Sequence, residues 1–369
     1  MERMTIDLRM INNSGIGNVI QNLLPYFISE FEITGIGNKS ILQKFSWSKN
    51  IKIIESNSPI YSVSEQLDLF LKSEKSDIFI SPHYNIPLLP VKAKKRFVII
   101  HDVYHLAFRK TLSLKQKIYA TFMINKAIKL SDRIFTVSEF SKSEIIKYTN
   151  AQKEELIVAP NGIDFAKFNK SVLPKDELLI RKKFNLPNKY LLFVGNLKPH
   201  KNLINLLHAF NKLNNEMPDY KLVVVGKKEG LITKDSGSEE YLNNHRGLSN
   251  KIIFTNYINY DELQIIYKNA SVLVFPSLYE GFGLPPLEAM ASGCPVISSD
   301  RASLPQVCGD AALYIDPLDP EDIYQKIKLM ILDNNLRKTF IAKGFNQTHK
   351  FTWDRAANIY LDNFKMELH

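Results

Sequence analysis

Residues Ser277–Ile297 read Ser-Leu-Tyr-Glu-Gly-Phe-Gly-Leu-Pro-Pro-Leu-Glu-Ala-Met-Ala-Ser-Gly-Cys-Pro-Val-Ile. The apolar run Val272–Phe275 comes just before and reads as a buried strand. Glu280 stands at the end of that strand. Gly281 and Gly283 open the backbone, so that N–H groups can meet a ligand. Proline is well tolerated where a helix begins, and Pro285-Pro286 mark such a start. Glu288 then lies one to two turns into the helix, where a carboxylate can accept the two vicinal hydroxyls of a ribose. Glu280 is placed for the hydroxyls of a second sugar. The bland alternative is two solvated glutamates beside a Gly/Pro loop, and the density of the pattern weighs against it.

Working outward, the same strand–loop–helix unit recurs. In the second half the strands read as Tyr190–Val194, Lys221–Val225, Ile252–Thr255, Val272–Phe275, Pro295–Ser298 and Ala312–Ile315, each followed by a helical pattern. In the first half they read as Met4–Leu8, Ile51–Ile54, Asp77–Ile80, Phe97–Ile100, Ile134–Val137 and Leu156–Val158. The principal first-half helices are Asn18–Glu30, Leu114–Leu130 and Glu139–Tyr148. Apolar runs without strict alternation suit strands buried on both faces, and alternation with helices implies parallel sheets. The chain therefore reads as two Rossmann-like, doubly wound α/β domains. The polar, Lys-rich segment Phe165–Leu186 is the linker candidate. The expected domains are residues 1–168, completed by a C-terminal helix in 352–369, and residues 169–351.

Ligands of open α/β sheets bind beyond the carboxyl ends of the strands. After the first strand comes Asn12-Asn13-Ser14-Gly15-Ile16-Gly17, where a Gly loop opens a helix. An anion site there and a plain tight turn are equal readings. His101-Asp102 follows the strand Phe97–Ile100. The histidine is placed to donate to a sugar hydroxyl or to stabilise developing charge, and a structural histidine is the alternative. Gly195-Asn196-Leu197-Lys198-Pro199-His200-Lys201-Asn202 follows the strand Tyr190–Val194 and precedes a helix. Two lysines and a histidine at a helix N-terminus suit a diphosphate. A solvated basic turn is the alternative.

With 369 residues, two domains can each bury a core. Cys294 and Cys308 are the only cysteines, which argues against a disulfide scaffold and for a reducing compartment. No segment reads as a signal peptide or approaches the ~20 apolar residues of a membrane span, so a cytoplasmic location is expected. A net charge of +10 favours anionic partners. No nucleic-acid-binding signature appears. No Asp-x-Asp motif stands at a strand end, so no metal or other cofactor is expected.

At these residues the sequence resembles the retaining nucleotide-sugar glycosyltransferases of family four, which have the GT-B fold: two Rossmann-like domains facing each other across a cleft. Glu280 and Glu288 match that family's E-x7-E motif. The resemblance extends to the Gly15–Gly17 loop, His101-Asp102, Val137-Ser138-Glu139 and Asn161-Gly162-Ile163-Asp164. It implies that Glu288 holds the donor's ribose and that Glu280 contacts the donor sugar. Main-chain groups of Gly281, Phe282, Gly283 and Leu284 would meet sugar and phosphates. It further implies phosphate binding by Lys201, a catalytic role for His101, and donor contacts from Gly15, Gly17, Ser138, Asn161, Gly195 and Asn196. Many relatives carry arginine in place of Asn196, so Lys198 or His200 is expected to share its duty. The last helix, Trp353–Glu367, is expected to cross back to the first domain.

The opening Asp7-Leu8-Arg9 with Ser14-Gly15-Ile16-Gly17 resembles bacterial mannosyltransferases of polysaccharide assembly. It implies metal-independent, retaining transfer of mannose from GDP-mannose to a saccharide or polyprenyl-linked saccharide acceptor, in lipopolysaccharide or capsule synthesis. Alternatives are a UDP- or TDP-sugar donor, a GT-B epimerase, or a non-catalytic nucleotide-sugar-binding protein. The basic amphipathic stretch Phe108–Lys129, with Arg109, Lys110, Lys115, Lys117, Lys126 and Lys129, is placed to rest on an anionic membrane, peripheral to the cytoplasmic face of the inner membrane. An ordinary helix packed on its sheet is the alternative.

Overall fold

In the computed structural model, residues 1–109, 112–226, 235–256 and 258–369 are described, and for Ser14 the backbone alone. The chain divides into two compact units, Met1–Gly162 with Trp353–His369, and Ile163–Thr352.

The first unit is built on a seven-stranded sheet in the order β3-β2-β1-β4-β5-β6-β7. The strands are β1 (Arg3–Asp7), β2 (Glu32–Gly37), β3 (Lys52–Glu55), β4 (Ser76–Ser81), β5 (Ala93–Ile99), β6 (Arg133–Thr136) and β7 (Leu156–Val158), all paired in parallel. The second unit carries a six-stranded parallel sheet in the order β10-β9-β8-β11-β12-β13. Its strands are β8 (Tyr190–Val194), β9 (Lys221–Val225), β10 (Ile252–Asn256), β11 (Val272–Phe275), β12 (Val296–Ser299) and β13 (Ala312–Ile315). Every residue of β8 and β11 is buried, as strands covered on both faces require.

Strand β2 was not among the expected strands. Its sequence, Glu-Ile-Thr-Gly-Ile-Gly, breaks the apolar run with two glycines, yet five of its six residues pair in register with β1. The helices Val63–Lys72 and Asn334–Thr348 were also unread.

The linker expectation is corrected. Residues 165–186 fold into the second unit as the helices Phe165–Phe168 and Pro174–Lys183. Phe168 is buried, edge-to-face against Tyr260 and Tyr267 at 5.1 and 6.2 Å. Arg181 donates to the Asn269 side chain at 2.9 Å. These contacts move the first boundary from residue 168 to Gly162.

The last helix, Trp353–Leu368, belongs to the first unit. Phe364 is fully buried, with its ring 5.5 Å from Phe27, 4.9 Å from Phe97 and 5.6 Å from Phe135. Near its end Glu367 pairs with Arg133 at 2.7 Å and Lys95 at 3.0 Å.

Candidate active site

The order of the second sheet reverses direction between β8 and β11, and a doubly wound sheet opens a crevice at such a point. Two loops meet there. The loop after β8 makes a short turn, Pro199–Lys201, closed by Asn202 in the left-handed region (φ 59°). The Asn202 amide donates to the carbonyls of Pro276 (3.0 Å) and Pro317 (2.6 Å). The Leu278 N–H donates to the His200 carbonyl at 2.8 Å. So tied, the loops bring the Lys201 Nζ 2.6 Å from Glu280 Oε1, both side chains mostly buried. Lys201 Nζ also lies 5.6 Å above the Phe275 ring.

The loop after β11 is held from below. Ser303 Oγ lies 3.0 Å from the Glu280 carbonyl and 2.6 Å from that of Phe282. Gly283 caps the helix Leu284–Ala291 at φ +117°, and a β-carbon there would come 2.8 Å from Leu304. Phe282 is buried, edge-to-face with Phe351 at 5.6 Å. Pro285 and Pro286 have no N–H, so amide donors at this helix end come from Leu284 and the loop before it.

Glu288 is buried within that helix. Its Oε1 accepts from the Tyr260 phenol at 2.7 Å and its Oε2 from the Tyr267 phenol at 2.8 Å. Burial raises its pKa, while the two phenols oppose the rise by stabilising the carboxylate. Tyr260 and Tyr267 stand two turns apart on the helix Tyr260–Asn269. Sequence reading missed both, and a seven-residue tyrosine spacing on one helix was the available signal.

Gly195 ends β8, its N–H bonded to the Val225 carbonyl at 2.8 Å. Asn196 is half-buried and its carbonyl accepts from Lys198 N at 2.8 Å. His200 is buried, and Lys198 half-buried. Among these basic groups, Lys201 is the one paired with Glu280 at the switch point.

The remaining expected residues lie in the first unit. His101 follows β5, and its Nε2 is 3.0 Å from the Pro82 carbonyl. A carbonyl only accepts, so in the neutral ring Nε2 carries the proton and Nδ1 presents a lone pair. This bond to the backbone is the structural alternative that the sequence left open, and it leaves Nδ1 as the ring's acceptor. Burial lowers the His101 pKa, against the opposing pull of the Pro82 carbonyl and Asp102. Ser138 caps the helix Glu139–Tyr148, its Oγ accepting from Ser141 N at 3.0 Å. Ser141 Oγ in turn donates to the His101 carbonyl at 3.0 Å. Asn161 is buried beyond β7. Gly15 is exposed with open space at its missing β-carbon, whereas a β-carbon on Gly17 would collide with the Ile11 carbonyl. Gly17 thus lets the helix start pack on its loop, and Gly15 is the open position.

A second network was missed. The first sheet reverses between β1 and β4. There Arg9 holds Asp7 at 2.6 Å and Glu65 at 3.0 Å, with the Arg9 and Glu65 side chains almost wholly buried. Asn85 donates to the other Glu65 oxygen at 2.8 Å, and the Tyr119 phenol donates to Asn85. Burial works against the charge on Arg9, but Asp7 and then Glu65 outweigh it and raise its pKa. Among the described residues, no group of three or more His, Cys, Asp or Glu is arranged to hold a metal ion.

The model of the glycosyl transferases group 1 matches residues 175–347, and that of glycosyltransferase family 4 matches residues 37–167. The O-antigen chain mannosyltransferase RfbU of Salmonella typhimurium is 32% identical over 270 residues, covering 73% of this chain and 69% of RfbU. The chain belongs to glycosyltransferase family four. The serotype-specific mannosyltransferase WbdA of Escherichia coli is also 32% identical, over 73% of this chain. The chain spans about a third of the length of that relative, 33%. Among solved structures, Anabaena HepE in complex with UDP-glucose superposes with a TM-score of 0.79 at 15% identity, covering 99% of this chain and 100% of HepE. The fold is GT-B, with one Rossmann-like parallel sheet per domain.

Proposed function

We propose that this glycosyltransferase moves mannose from GDP-mannose to a saccharide or polyprenyl-linked saccharide acceptor, with retention of configuration, in surface-polysaccharide assembly on the cytoplasmic side of the membrane. The observation that carries the reading is the Lys201–Glu280 pair set across the switch point of the second sheet, on the loop that leads into the helix of Glu288. In this reading Glu288 accepts the ribose hydroxyls, displacing the half-buried Tyr260 phenol. Lys201 turns its charge to the diphosphate, and the loop amides near Gly283 add donors.

The bond from the sugar's anomeric carbon to the β-phosphate oxygen breaks. A new bond from that carbon to the acceptor oxygen forms on the same face, and the acceptor's proton passes to the leaving phosphate. The chain's part is to position the reactants and to stabilise the departing charge. His101, neutral and with its Nδ1 lone pair available for a sugar hydroxyl, orients the donor. The mannosyl assignment is supported by the names of WbdA and RfbU. Positive charge from Lys201 in place of a metal supports transfer without a divalent cation.

The test is donor turnover. The protein is incubated with GDP-mannose, UDP-glucose, UDP-galactose, UDP-N-acetylglucosamine and TDP-rhamnose in EDTA, with nucleotide release as readout. Release from GDP-mannose alone is expected. Release from a UDP- or TDP-sugar instead would reassign the donor. Activity restored only by magnesium or manganese would remove the metal-free reading. Donor binding without release under any condition would favour a nucleotide-sugar-binding protein.

A further inference from the structure

Glu288 is a buried carboxylate held by phenols. Tyr260 donates to its Oε1 at 2.7 Å and Tyr267 to its Oε2 at 2.8 Å. Among the described residues, no lysine or arginine forms an ion pair with it. A buried carboxylate requires hydrogen-bond donors, and a phenol is the same kind of donor as a sugar hydroxyl. The two phenols therefore make the bonds that two vicinal hydroxyls would make.

The two phenols differ in freedom. Tyr267 is wholly buried within its helix. Tyr260 is half-buried and is the first residue of that helix, next to exposed Asn259. Its ring meets Phe168 edge-to-face at 5.1 Å, and Lys167 Nζ lies 4.9 Å over it. Lys167 is itself tied to exposed Asp261 at 2.7 Å. Such ring contacts near the surface are individually weak. A side chain at the first helical position can change rotamer without breaking a backbone bond of the helix. Tyr260 is thus the partner able to leave Glu288, and Tyr267 is the one that stays.

We propose that Tyr260 is a specificity-determining residue whose phenol guards Glu288, so that a nucleoside diphosphate gains from the carboxylate only when its sugar brings two hydroxyls. This admits ribose and rejects deoxyribose. To reach Oε1, an incoming hydroxyl must first break a hydrogen bond to a charged oxygen. One hydroxyl only replaces the phenol and gains nothing. A second finds a lone pair still open on the carboxylate and is a net gain. Without the phenol, each hydroxyl would count by itself. Donors built on thymidine carry deoxyribose, with a single free hydroxyl, and Tyr260 selects against that class. This role rests on the reading of Glu288 as the ribose acceptor.

The full chain is titrated calorimetrically with GDP, 2′-deoxy-GDP and 2′,3′-dideoxy-GDP, and with the same three forms of UDP so that the base is not assumed. In the wild type the deoxy and dideoxy nucleotides should bind alike, and the ribonucleotide about tenfold more tightly. Tyr260→Phe keeps the ring and its packing but removes the phenol. It should tighten the ribo and deoxy forms about tenfold each and leave the dideoxy form unchanged. Tyr267→Phe keeps Tyr260 in place, so the wild-type pattern should persist although one phenol is lost. Thermal melts show that each variant is folded. If Tyr260→Phe weakened GDP, or moved all three nucleotides equally, the phenol would not guard the carboxylate and the proposal would be overturned. Glu288→Gln reports on the underlying reading and should bind the three forms alike. If it kept the preference for ribose, Glu288 would not be the ribose acceptor and both would fall. If it lost that preference while Tyr260→Phe behaved as wild type, the role of Tyr260 alone would fall.

Discussion

The phenol of Tyr267 donates to Oε2 of Glu288 at 2.8 Å, deep inside the second domain, where neither group meets bulk water. Burial raises the Glu288 pKa above 4.5, so the folded state holds this proton more tightly than the unfolded chain. Stability contributed here therefore falls as pH rises past 4.5. Glu288→Gln should melt at or above the wild-type temperature at neutral pH and show a flatter pH dependence from 4.5 upward, while losing nucleotide-sugar binding. Tyr267→Phe withdraws a donor from the charged form. It should cost about 1–3 kcal/mol at neutral pH and less in acid. Thermal melts across pH, paired with calorimetric titration of the donor, check both; a destabilised Glu288→Gln at neutral pH would contradict the sign.

His101 shifts the other way. Its pKa lies below 6.5 because the half-buried ring is desolvated, so the folded state resists protonation that the unfolded chain accepts. Stability from this group is present above 6.5 and is lost as pH falls from there toward the lower folded value. Turnover should follow the same limb, because protonation removes the Nδ1 lone pair. His101→Gln should lower kcat by about a hundredfold and abolish the low-pH limb in kcat/KM. A pH profile of the variant that keeps the wild-type limb would assign that limb to another group.

Much of this was legible in the sequence, and the failures have physical causes. The fully buried strands β8 and β11 are apolar throughout, and the sequence runs Tyr190–Val194 and Val272–Phe275 matched them residue for residue. The loop Glu280–Leu284 announced itself by its Gly/Pro density. Strand β2 escaped because Gly35 and Gly37 mimic turn punctuation. Without β2 the order of the first sheet was hidden, and with it the switch point where Arg9, Asp7 and Glu65 meet. Helix Val63–Lys72 escaped because its apolar face points outward, so its periodicity gives no core to attach to. The segment 165–186 looked like a linker by composition, yet Phe168 anchors it against two tyrosines and Arg181 ties it to Asn269. Long-range pairings such as Tyr260–Glu288 leave no local trace at all.

The Arg9 network makes a prediction confined to the first domain. Arg9 neutralises one of two buried carboxylates, Asp7 and Glu65. Removing it leaves both without their cation, and loss of one partner from a buried ion cluster costs about 3–5 kcal/mol. Arg9→Ala should therefore lower the unfolding midpoint of this domain sharply. Glu65→Gln should be much milder, because it leaves the Arg9–Asp7 pair intact. Calorimetry would resolve the transitions, and equal effects of the two substitutions would rule out this account.

The Lys201–Glu280 pair gives the sharpest contrast between binding and turnover. The two groups lie 2.6 Å apart, so under the proposed function a donor diphosphate would compete with Glu280 for the same ammonium. Glu280→Gln removes the competitor and leaves the lysine in place. It should bind GDP at least as tightly as the wild type, yet transfer sugar about 100-fold more slowly, because the group facing the sugar is changed. Lys201→Ala removes the cation itself. It should weaken GDP and lower turnover by about 100- to 1000-fold, since stabilisation of the leaving diphosphate is lost. Titration calorimetry with GDP and steady-state release from GDP-mannose give the two readouts. If Glu280→Gln weakened GDP as much as Lys201→Ala does, the carboxylate would be holding the lysine in position instead of competing for it, and the roles of the two residues would need to be exchanged.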